Sequence, residues 1–284
     1  MNDGVILEPE VRDRREVRSS DGVTLSYRVI GAGPPVLCIQ GVGVIGVGWE
    51  PQLAPLSHRF RVLTFDNRGI GRSARSPSGL SIDAMASDVW TIADAAAVER
   101  CHLVGHSMGG LIALRAALVS PERVKSLSLL CTFADGAAAT RLSLRMAVLG
   151  IGTRVGTRAM RRRAMQRMLF PAAFLKDVDR AALAVRLQEL FGRDLADTPP
   201  IVTEQLRSMS ACNVTGALSK LAGIPALVVS GRHDPIAPPA LGRAIADGIP
   251  GARYVEFDDA SHALPVQCAD RVNALILEHL DAAD

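Results

Sequence analysis

The chain has 284 residues, 48% hydrophobic and 21% charged, with a net charge of +3. That length suffices for one large domain, or for a domain carrying an insertion. The small net charge, the few aromatics (7 Phe, 2 Tyr, 2 Trp) and the lack of a basic stripe among them exclude nucleic acid as the partner.

The opening MNDGVILEPEVRDRREVRSSDG is polar and charged, without the apolar core or small-residue cleavage site of a signal peptide. No apolar run reaches the length of a membrane span. Cys38, Cys101, Cys131, Cys212 and Cys268 are scattered, odd in number and mostly inside apolar runs. That usage fits small buried hydrophobes in a reducing compartment, so a cytoplasmic protein without disulfides is expected.

In chain order, VTLSYRVIG (23–31) alternates as a half-buried strand does, and PVLCIQG (35–41) is a short continuous apolar run, the pattern of a strand buried on both faces. RVLTFDNRG (61–69) and CHLVG (101–105) repeat that form. Helical patterns lie between them, WEPQLAPLSHRF and then SIDAMASDVWTIADAAAV, the second opened by Ser81 as N-cap with Asp83 in its first turn. LIALRAALVSPERV predicts a helix stopped before Pro121, and VKSLSLLCTF (124–133) a further strand. From 134 to 220 the strand signal vanishes in favour of helical patterns rich in Met, Leu and Arg, with basic residues exceeding acidic ones. IPALVVSG (224–231) and ARYVEF (252–257) then resume the strand rhythm. Such alternation predicts an α/β fold: a doubly wound, mostly parallel sheet covered by helices. Its core comprises 1–133 and 221–284, with an all-helical cap, 134–220, inserted after the sixth core strand.

Gly105-His106-Ser107-Met108-Gly109 is a G-x-S-x-G between a strand and a helix. A serine on so tight a turn projects above the carboxyl ends of the strands, and the flanking glycines let strand and helix approach. A serine nucleophile needs a base, and the base an orienting group. His262, in DDASHALP, and Asp234, in SGRHDPIAP, each follow a strand and so fall on the same sheet edge, where open α/β sheets bind ligands.

From about residue 20 to 280 the chain resembles the capped α/β-hydrolases, a group of esterases, lactonases and carbon–carbon bond hydrolases. The resemblance rests on GHSMGG, TFDNRGIGRS, GRHDPIAP and the histidine of SHALP. It implies Ser107 as nucleophile, His262 as general base and acid, and Asp234 as the group orienting the imidazole. It also implies an oxyanion hole from the backbone amides of Val42 and Met108. Where the family usually opens this loop with histidine and glycine, the chain reads IQGVGVIGVGW, so Gln40 replaces the histidine. Gln40 either holds the loop by hydrogen bonds or faces the substrate, with Gly41 and Gly43 beside it.

The remaining titratable residues have plainer readings. His58 closes a helix, His102 begins a strand, His279 lies in the last helix, His106 braces the turn, and His233 points away from the site. None has metal-ligand spacing with another, and no cofactor is expected. Asp66 and Arg68 knit a loop beneath the site, and Asp258 and Asp259 are solvated. Asp135, just after the 124–133 strand, competes with Asp234 for the acid role and ranks second. In TRAMRRRAMQRMLF (157–170), Met160, Ala164, Met165 and Met168 share an arc facing the pocket, and Arg162, Arg163 and Arg167 face water. Arg161 falls inside the apolar arc, reaching the edge or binding a substrate carboxylate.

The expected activity is hydrolysis of a small-molecule ester or lactone of medium size and largely apolar character, through an acyl-enzyme. The alternatives are carbon–carbon bond hydrolysis of a β-diketone-like substrate, and a small-ligand receptor with incidental hydrolysis. Neither substrate identity nor oligomeric state follows from the residues.

Overall fold

A computed structural model describes residues 14–140 and 149–284. The N-terminal reading over 1–13 and the part of the helical insertion over 141–148 lie outside these described residues. Eight strands form one sheet: β1 (Arg14–Arg18), β2 (Thr24–Ile30), β3 (Pro35–Ile39), β4 (Arg61–Phe65), β5 (Cys101–His106), β6 (Val124–Leu130), β7 (Ala226–Gly231) and β8 (Arg253–Phe257). Their order is β1-β2-β4-β3-β5-β6-β7-β8. β2 runs antiparallel to β1 and β4, and every other pairing is parallel.

β1 is a strand the hydrophobic pattern does not predict. RREVR has a single apolar residue, Val17, and its charges suit an edge that must not recruit another chain. The central strands read as continuous apolar runs because alternate residues enter two different cores. Leu37 and Ile39 of β3 join Leu103, Leu127 and Val228 on one face, under α2 (Ile82–Ala95) and α3 (Met108–Val119). Val36 and Cys38 join Val104, Leu227 and Val229 on the other, under α1 (Glu50–Ser57). Ser81 caps α2, its Oγ accepting the Ala84 amide at 3.0 Å.

Between β6 and β7 lie α4 (Gly136–Thr140), α5 (Arg158–Leu169), α6 (Phe174–Asp177), α7 (Arg180–Phe191) and α8 (Pro200–Ser210). After β7 come α9 (Pro239–Gly248), on the face of α2 and α3, then α10 (Leu264–Gln267) and α11 (Ala269–Ala283), on the face of α1. Leu169, Phe170, Leu175, Leu183, Leu187 and Leu195 form a separate cluster that closes on Ala263, in the loop after β8. The Ala263 amide also donates to the Leu169 carbonyl at 3.0 Å, tying the end of α5 to that loop.

Helix α5 departs from the expected arc at several positions. Met165 and Met168 line the cavity, but Ala164 and Met160 do not, and Met160, in the first turn of the helix, is 58% exposed. Arg162 does not simply face water: its Nε donates to Asp194 Oδ1 at 2.7 Å, because α5 packs beside the chain leaving α7. Asp258 and Asp259 are likewise not only solvated, since they pair with Arg232 and Arg271 at 2.8 and 2.7 Å.

Beneath the carboxyl edge, the segment after β4 is tied down by buried charge. Arg68 reaches Asp88 on α2 through Nε and Nη2, at 2.7 and 2.6 Å, and Asp21 through Nη1 at 2.7 Å. Asp66 Oδ1 accepts the Gly46 amide at 2.7 Å, and Asn67 Nδ2 donates to the Gln40 carbonyl at 3.0 Å. The loop from 40 to 46 therefore rests on residues 66–68. Removing one partner of a buried pair leaves an uncompensated charge, so Arg68→Ala is expected to lower unfolding stability by about 3–5 kcal/mol in denaturant titration. A loss below about 1 kcal/mol would show that Asp88 and Asp21 do not depend on it.

Candidate active site

Ser107 sits between β5 and α3 at φ 55°, ψ −123°. A non-glycine residue there is strained by about 1–3 kcal/mol and persists only where its neighbours fix it. They do so by close approach. A Cβ on Gly109 would run into the Ile39 carbonyl of β3, and one on Gly105 into Gly109 and Gly110 at the start of α3. The Ser107 amide donates to the Leu130 carbonyl at 3.0 Å, and Thr132 Oγ1 donates to the Ser107 carbonyl at 2.6 Å. The turn is thus held from β3, β6 and the residues following β6.

The structure brings Ser107, His262 and Asp234 into one hydrogen-bonded chain. His262 Nε2 lies 3.0 Å from Ser107 Oγ, and Nδ1 lies 2.8 Å from Asp234 Oδ2. The other oxygen, Asp234 Oδ1, accepts the amides of Ile236 and Ala237 at 2.8 and 2.9 Å, so the carboxylate cannot rotate away from the ring. All three residues are buried. Asp135 is elsewhere: it caps α4, with Oδ1 accepting the Ala137 amide at 2.9 Å. His233 is exposed, and its carbonyl accepts Ser261 Oγ at 3.1 Å.

His106 contributes more than bracing the turn. Its Nε2 donates to the His262 carbonyl at 2.9 Å, and the two rings lie 4.9 Å apart. Burial, reinforced by the neighbouring His262, pushes His106 down to about 3, so this ring stays neutral. His102, buried against Ser126, is pushed down to about 4, again by desolvation.

The loop carrying Gln40, Gly41, Val42 and Gly43 lies directly over Ser107. A Cβ on Gly41 would stand 3.0 Å from Ser107 Cβ. Met108 opens α3 on the other side of the serine, where the positive end of the helix dipole points into the site. Gln40 is buried; its side chain packs against Gly48 and lines the cavity above Ser107. Gln205, on α8, lies in no recognisable motif, yet its Oε1 accepts the Gly43 amide at 2.8 Å across 162 positions.

A cavity of about 520 Å³ opens above Ser107, within the usual range for small-molecule sites. Val42, Trp49, Phe133, Met165, Leu187 and Leu190 give it a mainly apolar wall. Arg161 is not among the lining residues; the arginines that are lie at 154, 193 and 207. Among the described residues no cluster of His, Cys, Asp and Glu could hold a metal ion, and no helix is long and apolar enough to cross a membrane.

Residues 34–267 match the family described as alpha/beta hydrolase fold. A protein of Azorhizobium caulinodans named "Putative carbamate hydrolase RutD" is 33% identical over 257 residues, spanning 89% of this chain and 93% of its own length. Among solved structures, the enol-lactonase from Burkholderia xenovorans superposes with a TM-score of 0.78 at 27% identity, covering 94% of this chain and 100% of its own. A thermophilic esterase from Thermogutta terrifontis also gives 0.78, at 26% identity, with 95% and 99% covered.

The buried histidines set a pH dependence. Unfolded, His102 and His106 titrate near 6.5. Below that pH the unfolded chain binds protons that the folded chain refuses, so stability is lost as pH falls from about 6.5 toward 4. Denaturant melts at pH 7, 6 and 5 are expected to show a decline of about 1 kcal/mol per pH unit for each histidine. A flat profile would mean that both rings accept protons in the folded state.

Proposed function

We propose that this chain, which belongs to the α/β-hydrolase fold family and is a hydrolase of that fold, cleaves the ester or lactone bond of a medium-sized, largely apolar substrate through an acyl-enzyme. The observation that carries this reading is the chain of hydrogen bonds from Asp234 through His262 to Ser107 at the base of a mainly apolar cavity. Residues 134–220 act in this reading as a cap that shapes the cavity.

Ser107 Oγ attacks the carbonyl carbon while His262 Nε2 takes its proton. The tetrahedral oxygen faces the backbone amides of Val42 and Met108, an arrangement in which one donor is worth about 10²–10³ in rate. Collapse breaks the acyl–oxygen bond, and His262 returns its proton to the departing alkoxide. Water then gives a proton to His262 and attacks the acyl-enzyme, freeing the acid and restoring Ser107. Asp234 holds the imidazole with Nε2 toward the serine throughout, and His106 fixes the backbone of His262 from behind.

A carbamate carbonyl is a second reading, supported by the name of the 33%-identical relative. The same attack applies, with an amine or alkoxide leaving.

A fluorophosphonate is expected to add once to the wild-type chain and not to Ser107→Ala, as weighed by intact mass. Turnover on a ladder of p-nitrophenyl esters should fall by at least about 10³-fold in Ser107→Ala, and by about 10⁴-fold in Asp234→Asn. A wild-type chain that neither labels nor turns over esters, lactones or aryl carbamates would refute the reading.

A further inference from the structure

The loop over Ser107 bends at Val42 and Gly43. Of these two central residues only Gly43 has a positive φ, 68°, the pattern of a type II turn. Types I and II differ by a flip of the peptide between the central residues, here the one that carries the Gly43 N–H. Glycine at the second position takes either form readily, so the local sequence does not fix which way that peptide faces.

Gln205 fixes it. Its Oε1 accepts the Gly43 amide at 2.8 Å, and both residues are buried. A flip would break that bond and leave the Gly43 N–H buried without a partner. Gln205 Nε2 has no partner, so the side chain serves through its oxygen alone. The seat of α8 keeps that oxygen in place. A Cβ on Gly43 would meet Val202 Cγ2 at 2.9 Å, and one on Gly69 would meet Ile201 Cδ1 at 2.5 Å. The first turns of the helix therefore rest directly on two glycine turns of the core, and Glu204 pairs with Arg75 across the same junction.

On the other side of the loop, Asn67 Nδ2 donates to the Gln40 carbonyl and so fixes the 40–41 peptide. The 41–42 peptide, whose N–H belongs to Val42, is thus suspended between two anchored ones. No described residue accepts that N–H. Gly41 brings it close to the nucleophile, since a Cβ there would stand 3.5 Å from Ser107 Oγ.

We propose that Gln205 is a positioning residue: from α8 it holds the 42–43 peptide in the orientation that aims the Val42 amide at the oxyanion. This rests on the serine-hydrolase reading and adds to it the residue that sets one of the two donors. Val202, Leu206 and Met209 of the same helix line the cavity, so one element both walls the substrate chamber and aims the donor.

The test compares ethyl butyrate with O-ethyl thionobutyrate, followed by pH-stat. Sulfur is a poor hydrogen-bond acceptor, so the ratio of kcat/KM for ester over thionoester reads the oxyanion donors. In Gln205→Met, kcat on the ester is expected to fall by about 10–10²-fold with KM within about threefold of wild type. The ester/thionoester ratio should fall by at least about tenfold, loss of a whole donor being worth about 10²–10³. Ile201→Ala, which loosens α8 over Gly69 and leaves the Gly43 bond in place, should lower unfolding stability but keep the ratio within about twofold. A ratio taken within one variant does not depend on how much of that variant folds. A ratio unchanged in Gln205→Met, or lowered as much in Ile201→Ala, overturns the inference and leaves the hydrolase reading standing. A wild type that neither takes up a fluorophosphonate nor hydrolyses either substrate removes the two together.

Discussion

Ser107 at φ 55° can exist only because three pieces of backbone press on the turn that carries it. Gly109 lets α3 approach the carbonyl of Ile39, Gly105 lets β5 run under the start of the same helix, and the amide of Ser107 bonds to Leu130 on the neighbouring strand. Each contact comes from a strand of the parallel sheet, so the strain is balanced by the most buried part of the molecule. Parallel strands all end at one edge, and the loops after β5, β7 and β8 therefore deliver Ser107, Asp234 and His262 to the same place.

The loop over the serine is held differently, from two sides. Below it, Asp66 and Asn67 fasten Gly46 and Gln40, while Arg68 anchors their own segment to α2. Above it, Gln205 takes the Gly43 amide. One support belongs to the sheet and the other to the helical segment, so the position of the loop depends on both being in register. The exchange of the family's usual histidine for Gln40 leaves the main-chain carbonyl at 40 in use as an acceptor, and its amide side chain fills space beside Gly48.

Much of this arrangement was legible beforehand because it obeys short periods. Two-faced strands read as unbroken apolar runs, and residues just past them must lie at the sheet edge; that logic suffices to bring Ser107, Asp234 and His262 near one another. The failures have physical causes. RREVR gave no strand signal because an edge strand needs no apolar face. Met160 and Ala164 follow the helical period, but only Met165 and Met168 of that arc reach the cavity. Gln205 reaches the Gly43 amide through a contact set by how α8 lies over the sheet, and no local pattern encodes that orientation. Arg161 falls in the apolar arc of its helix yet stays outside the cavity, whose arginines come from positions 154, 193 and 207, set by tertiary packing that helical periodicity does not encode.

The hydrogen bond from Ala263 to Leu169 joins the end of α5 to the residue that follows His262. The wall of the cavity and His262 are thus sewn together by one backbone link, with Leu169, Phe170 and Leu187 packed around it. A displacement of α5 wide enough to break that link would also release the peptide that seats the imidazole. Opening the chamber and loosening the imidazole would then be a single movement: a cavity agape to water is also one whose histidine has lost its footing.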